Sequence, residues 1–138
     1  MEDMARAVAG IASVLPRKKT ATVLALSGEL GAGKTTFVQL LGKQLGVSEH
    51  ITSPTFVVMK QYPVAGHDWV RTLVHVDAYR IEDIDEIRVL RLAEILSKPE
   101  TILCIEWPER IKSCVPDGAF HVSIALNADG SRTMRYDS

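Results

Sequence analysis

The sequence predicts a three-layer α/β fold, in which helices cover a largely parallel central sheet with antiparallel edge strands. Two observations support this prediction. Short apolar runs typical of buried strands alternate with segments whose apolar residues recur at helical spacing. A glycine-rich stretch, GELGAGKTT (28–36), stands between the first buried run and the helical segment after it. The 138 residues are expected to form a single domain, 1–138, because that length suffices for a core of its own.

The first predicted element is an amphipathic helix that stops at Pro16, with an apolar side formed by Met4, Val8, Ile11 and Leu15. We then expect, in order, a strand over 20–27, a helix over 35–46, strands over 55–62 and 70–79, a helix over 83–96, a strand over 101–107 and closing strands over 119–126 and 132–136. The segment 63–68 is typical of a hairpin loop. Asp83 is the predicted N-cap of the helix over 83–96, with Glu86 in the capping-box position.

The glycine-rich stretch fits the pattern G-x-x-x-x-G-K-[ST], with Gly28, Gly33, Lys34 and Thr35 at the required places. A loop that wraps a phosphate chain turns its backbone N–H groups inward, and several of those conformations exclude a Cβ. Lys34 is a mobile charge that can reach the outer phosphates, and the Thr35 hydroxyl is a suitable oxygen ligand for Mg²⁺. The alternative is a glycine turn beside a chance lysine. A strand before the stretch and a helix after it favour a nucleotide site.

Two carboxylates end buried strands and are candidates for the acidic group that such a site needs. Asp77 ends the run LVHVD, and Glu106 ends ILCIE. A carboxylate is costly there unless a cation or hydrogen-bond donors satisfy it, although either could instead face solvent or cap a helix. We expect both at adjacent strand ends, where ligands bind in open α/β sheets. Spacing alone does not decide which of them holds a metal.

Charge and composition exclude several classes of protein. The formal net charge is −1, from 16 basic and 17 acidic residues. This balance provides no excess of positive charge with which the chain alone would bind a nucleic acid. The basic run at 17–19 is interpreted as a solvated turn. No apolar run has membrane-spanning length, and no signal peptide is expected. Cys104 and Cys114 are typical of reduced thiols in a cytoplasmic protein, and the four scattered histidines do not favour zinc.

An adenine nucleotide is favoured because the signals for guanine are missing. The sequence has no Asn-Lys-x-Asp, and Asp77 does not begin an Asp-x-x-Gly. A small-molecule or nucleoside kinase stays as an alternative function. Arg80, Arg88 and Arg91 could form the lid of a kinase, but they are placed more simply on an exposed helix face. A motor with a further helical domain would need a longer chain.

Four motifs carry a resemblance to a known family. The segments LSGELGAGKTTF, ITSPTF, HVDAYR and IEWPER occur in this order between about Ser27 and Arg110. In sequence and separation they resemble the TsaE (YjeE) family, small bacterial P-loop ATPases of tRNA threonylcarbamoyladenosine synthesis. The glycine-rich motif alone is not specific, whereas the three motifs behind it are. The resemblance implies a P-loop NTPase fold.

The resemblance also implies residue roles. ATP would contact the loop and one strand end, through Leu30, Gly31, Ala32, Gly33, Lys34, Thr35 and Asp77. Lys34 and Asp77 would be catalytic, with Asp77 orienting water, whereas Thr35 and Glu106 would ligate Mg²⁺. Residues 53–55 would form a switch-like segment near the γ-phosphate. Trp107 would pack in the core, line the site or face a partner. The chain ends soon after the turn at 130–132, so a nucleotide contact from that turn is left open.

The resemblance implies a function for ATP as well. In the TsaE family the protein joins TsaB and TsaD, and its ATP cycle is thought to reset that complex between rounds of tRNA modification. The tRNA would then be held by the partners, and no membrane is involved. No arginine is clearly aimed at the phosphates, Arg80 and Arg110 included. We therefore expect slow ATP hydrolysis by the isolated protein and faster hydrolysis with TsaB and TsaD.

Overall fold

A single central sheet organises the computed structural model, which describes residues 2–29, 31–52, 58–83, 85 and 91–137, with residues 2 and 3 through their backbone alone. Its strands within those residues are β1 (Thr22–Ser27), β2 (Met59–Pro63), β3 (Thr72–Asp77), β4 (Thr101–Glu106), β5 (Phe120–Leu126) and β6 (Arg132–Asp137). They lie in the order β2-β3-β4-β1-β5-β6. The four central strands are parallel, whereas β2 and β6 run antiparallel at the two edges. The predicted fold class is confirmed.

Helices cover the sheet on both faces. The described helices are α1 (Glu2–Val14), α2 (Lys34–Leu45) and α3 (Leu92–Leu96), and a 3₁₀ helix spans Pro108–Cys114. One apolar layer joins α1 and α2 to residues such as Leu24 and Ile102. The other layer joins α3 and the 3₁₀ helix to residues such as Val23 and Leu103. Successive strand residues thus enter opposite layers, which explains why β1 and β4 are apolar almost throughout.

Several predicted boundaries are confirmed. Helix α1 ends before Pro16, and its predicted apolar side is buried. Helix α2 ends at Gly46, whose left-handed backbone (φ 102°) closes the helix by donating its N–H to the Gly42 carbonyl. The hairpin of β2 and β3 is present, as is the closing pair of β5 and β6. Of the predicted strand over 55–62, residues 55–57 lie outside the described residues, and the observed strand β2 begins at Met59.

The prediction of one uninterrupted helix over 83–96 is wrong at Arg91. That residue adopts a left-handed conformation (φ 55°), which breaks the helical backbone before α3 begins at Leu92. Beyond this break Leu92 and Ile95 are buried against the sheet, so tertiary packing overrides the helical pattern of the sequence. The Asp83 carboxylate accepts the N–H of Asp85 (3.0 Å), as expected of a cap, whereas Glu86 lies outside the described residues.

Candidate functional site

The candidate site is a cleft of about 450 Å³ at the carboxyl ends of the parallel strands. Its walls come from the glycine-rich loop, the start of α2, the ends of β3 and β4, and the start of β6. The lining residues are Gly31, Gly33, Lys34, Thr35, Thr36, Asp77, Tyr79, Arg80, Glu106, Trp107 and Arg132. The sequence-predicted residues Gly31, Gly33, Lys34, Thr35, Asp77 and Glu106 therefore meet in one place. Ala32 lies in the same loop and is buried, whereas Leu30 and residues 53–55 lie outside the described residues.

The loop conformation depends on glycine at two positions. A Cβ on Gly28 would lie 2.5 Å from the carbonyl oxygen of Ile124, so only glycine lets the loop pass this close to β5. Gly33 has φ 110°, in the left-handed region, and directly precedes the first residue of α2. These two glycines fix how the loop leaves β1 and enters the helix. The helix N-terminus consequently faces the cleft.

Lys34 is buried against the loop and an indole. Its ammonium donates to the carbonyl oxygen of Gly28 and lies 3.4 Å from that of Glu29. The same nitrogen lies 3.8 Å from the centroid of the Trp107 ring, a cation–π arrangement. Burial lowers the pKa of Lys34, and the negative charges of Glu106, Glu109 and Asp77 act against that shift. Of the roles expected for Trp107, the structure supports two, because its side chain packs against an apolar layer and also lines the cleft.

Glu106 is the carboxylate that contacts the start of α2. Its side chain is buried, and its Oε2 accepts a hydrogen bond from the Thr35 hydroxyl (3.0 Å). The same oxygen lies 2.5 Å from Nε2 of His75, which is fully buried on β3. A hydroxyl oxygen and a carboxylate oxygen this close together match the hard oxygen ligands that Mg²⁺ prefers, so the donor set fits this ion.

Described residues contain no group of three or more His, Cys, Asp and Glu side chains that could hold a metal ion. Magnesium does not require such a group, because it commonly takes one or two protein ligands and completes its shell with waters and substrate phosphates. The pair formed by Thr35 and Glu106 therefore suits an ion that arrives with phosphates. It does not suit a permanently caged metal.

Asp77 is the register partner of Glu106 on the neighbouring strand, as predicted for adjacent strand ends. The Ala78 N–H donates to the Glu106 carbonyl (3.0 Å), which holds the two strand ends together. The Asp77 carboxylate is half-buried and accepts the N–H of Tyr79 (3.0 Å). Burial raises its pKa, and the hydrogen bond from Tyr79 acts against that shift.

Three features of the site were not predicted from the sequence. His75 contacts Glu106, and its position two residues before Asp77 on one strand was the available signal, because residues i and i+2 share a face. Tyr79 lies against Trp107 with ring centroids 5.0 Å apart. The third feature is Arg132, which lines the cleft and donates from Nε to the Ala32 carbonyl (2.8 Å).

The arginines proposed for a kinase lid are separated. Arg80 is exposed at the edge of the cleft, so it does not simply lie on the outer face of a helix. Arg91 is exposed at the break before α3 and lines a different pocket, beside Cys114 and Pro116. Arg88 lies outside the described residues. Arg80 and Arg91 therefore do not form one group over the cleft.

The fold and the site define an α/β protein with a P-loop sequence at the carboxyl edge of a parallel sheet. The model of the family described as threonylcarbamoyl adenosine biosynthesis protein TsaE matches residues 1–134. The chain belongs to this family, which acts in tRNA threonylcarbamoyladenosine biosynthesis. The resemblance drawn from the four sequence motifs is confirmed.

Individual relatives agree with the family match. The chain is similar to the TsaE protein of Streptomyces coelicolor (48% identity, covering 61% of this chain and 55% of the relative). It is also similar to those of Treponema pallidum (38%, covering 82% and 79%) and Bacillus subtilis (35%, covering 86% and 70%). The match thus spans little more than half of the Streptomyces protein. The crystal structure of YdiB from Bacillus subtilis superposes with a TM-score of 0.71 at 27% identity, covering 98% of this chain and 78% of the other.

Proposed function

We propose that this protein binds ATP with Mg²⁺ and hydrolyses it as an accessory subunit, together with TsaB and TsaD, in the formation of threonylcarbamoyladenosine on tRNA. The observation that carries the proposal is one cleft in which the P-loop lysine and threonine meet two strand-end carboxylates. A fold alone does not imply a function, so the proposal depends on this constellation and on the family.

The backbone N–H groups of the loop and of the first turn of α2 would bind the phosphates. Lys34 would leave the carbonyls of Gly28 and Glu29 and place its charge on the outer phosphates, because its side chain is long enough to move between the two positions. Thr35 and Glu106 would hold Mg²⁺, which neutralises charge on the phosphate oxygens when bound. Asp77 would orient the attacking water, since its carboxylate lies at the cleft while the Thr35 hydroxyl donates to Glu106.

Slow hydrolysis by the isolated chain is part of the proposal. Fast phosphoryl transfer usually requires an arginine that neutralises charge developing on the γ-phosphate. Arg132 donates to the Ala32 carbonyl, and Arg110 lies over the Tyr79 ring at 5.8 Å from its centroid. Both guanidinium groups are thus engaged by groups of the chain itself. TsaB and TsaD would complete the site, and they would also hold the tRNA, because the formal net charge of this chain is only −1.

We also propose a cytoplasmic location, where nucleotide and tRNA are both present. None of the helices within the described ranges is long and apolar enough to cross a membrane. Cys104 is buried and Cys114 is half-buried, and both are free thiols. Free thiols of this kind are typical of a reducing compartment.

The test is phosphate release from ATP by the purified chain, alone and with TsaB and TsaD. We expect low release alone and a marked rise with both partners, with Lys34→Ala as the inactive control. A kinase would instead consume ATP in proportion to an added acceptor, so a panel of nucleosides and small alcohols forms the second arm. Rapid hydrolysis that ignores the partners would contradict the accessory role, and acceptor-dependent consumption would favour the kinase.

A further inference from the structure

His75 is a buried imidazole to which the proposed function assigns no role. Its side chain is fully buried in β3, with Nε2 placed 2.5 Å from Oε2 of Glu106. Its other ring nitrogen, Nδ1, makes no hydrogen bond to any part of the chain that the structure describes. Glu106 is thus its hydrogen-bond partner on the side that faces the cleft.

Packing alone does not explain a histidine at this position. A neutral imidazole has one donor and one acceptor nitrogen, and a carboxylate accepts, so the contact assigns the hydrogen to Nε2. The lone pair on Nδ1 is then buried without a donor. An apolar side chain of similar volume would avoid that cost. The contact with Glu106 is what the histidine adds.

The two donors to Glu106 differ in the element that carries them. Thr35 belongs to the first turn of α2, and its hydroxyl would also serve the cation. His75 belongs to the sheet, where β3 and β4 are paired along six register pairs. Its side chain contacts Glu106 through Nε2, and its Nδ1 has no hydrogen-bond partner among the described residues. The sheet therefore holds the carboxylate at a fixed place even while the Thr35 hydroxyl changes partner.

We propose that His75 is a positioning residue: its buried Nε2–H holds the Glu106 carboxylate beside Thr35, so that the divalent cation binds at a lower concentration than an unheld carboxylate would permit. This inference rests on the proposed function, in which Glu106 and Thr35 hold Mg²⁺. Partners that orient a ligating group in this way typically change metal affinity by about 10–100-fold.

The experiment measures ATP affinity over a range of Mg²⁺ concentrations, by calorimetry, for the wild type and two variants. His75→Leu removes the donor, whereas His75→Gln keeps an N–H at about the same distance along the side chain. We expect His75→Leu to raise the Mg²⁺ concentration for half-maximal ATP affinity by about 10–100-fold. We expect its affinity for ATP in EDTA to stay that of the wild type, and His75→Gln to recover most of the loss. Circular dichroism confirms that each variant is folded.

A second measurement separates positioning from a general structural effect. In a Glu106→Gln background, His75→Leu should cause no further change in the Mg²⁺ requirement, because the held carboxylate is already gone. An unchanged requirement in folded His75→Leu would overturn the inference alone, as would an equal loss with and without Mg²⁺. If His75→Leu does not fold, His75→Ala takes its place in the same titration, and an unchanged Mg²⁺ requirement in folded His75→Ala would likewise overturn the inference. ATP affinity of the wild type that is independent of Mg²⁺ would overturn the proposed function as well.

Discussion

Glu106 and Asp77 occupy equivalent positions in the sheet but have different surroundings. They are register partners at the ends of neighbouring parallel strands. Glu106 is buried and faces Thr35 and His75, whereas Asp77 is half-buried and accepts a backbone N–H from Tyr79. The strand end brings each carboxylate to the cleft, and the packed neighbours decide what each can bind. A buried carboxylate beside a hydroxyl suits a metal, and a half-buried one at the cleft suits a water.

Of the two carboxylates, Asp77 should give the larger effect, and Asp77→Asn tests the water-orienting side of this comparison. Hydrolysis in the presence of TsaB and TsaD should fall by about 10²–10⁴-fold, the usual range for a group that assists proton transfer. The affinity for ATP with Mg²⁺ should stay within about threefold, because the Thr35 hydroxyl is hydrogen-bonded to Glu106 and not to Asp77, and loss of a peripheral charge is worth little. Single-turnover hydrolysis and calorimetry measure the two quantities. An Asp77→Asn protein that hydrolyses ATP normally but needs far more Mg²⁺ would exchange the roles of the two carboxylates.

Glu106→Gln tests the metal-binding side. The Mg²⁺ concentration needed for half-maximal ATP affinity should rise by about a hundredfold, because a charged ligand worth roughly 3 kcal/mol is replaced by a neutral amide of the same shape. The same titration on Asp77→Asn is the matched control. Equal Mg²⁺ requirements for the two variants would mean that the different surroundings of the carboxylates have no functional consequence.

Lys34→Ala removes the cation that lies near both carboxylates. We expect ATP affinity to fall by roughly 10–100-fold, since a charge-assisted contact contributes about 1.5–3 kcal/mol, and partner-stimulated hydrolysis to be lost. The domain should remain folded, because Lys34 contacts loop carbonyls and the Trp107 ring and is not part of either apolar layer. Circular dichroism checks folding. Wild-type hydrolysis by a folded Lys34→Ala protein would contradict the proposal that Lys34 binds the outer phosphates.

The sequence predicts most of the fold because central strands such as β1 and β4 are apolar on both faces and the loops carry clear breaks. It does not predict the left-handed Arg91, since the packing of Leu92 and Ile95 against the sheet decides that conformation. Within the site, the meeting of Lys34, Thr35, Asp77 and Glu106 follows from one motif and two strand ends. His75 and Arg132 were missed because their contacts depend on cross-strand register and on the return of the last hairpin, which are properties of the folded chain.

The smallest expected effect concerns the thermal stability of the nucleotide-free protein in EDTA. Asp77 and Asp129 have pKa values shifted in opposite directions, so replacing each by Asn should change Tm in opposite directions. Burial raises the pKa of Asp77 above its ordinary 3.8, so the folded state binds more protons than the unfolded state between 3.8 and the raised value. Stability therefore falls as pH rises through that window, and Asp77→Asn, which keeps an oxygen for the Tyr79 N–H, should raise Tm at pH 7 by a few degrees at most. The gain should vanish below about pH 3.8.

Asp129 is the control, because hydrogen bonds from the Ser131 side chain and backbone lower its pKa, and Asp129→Asn should leave Tm unchanged or slightly reduced at pH 7. Thermal unfolding from pH 3 to pH 8 measures Tm for both variants. A lower Tm for Asp77→Asn at pH 7 would contradict the prediction, because it would show that the ionised Asp77 carboxylate stabilises the folded state.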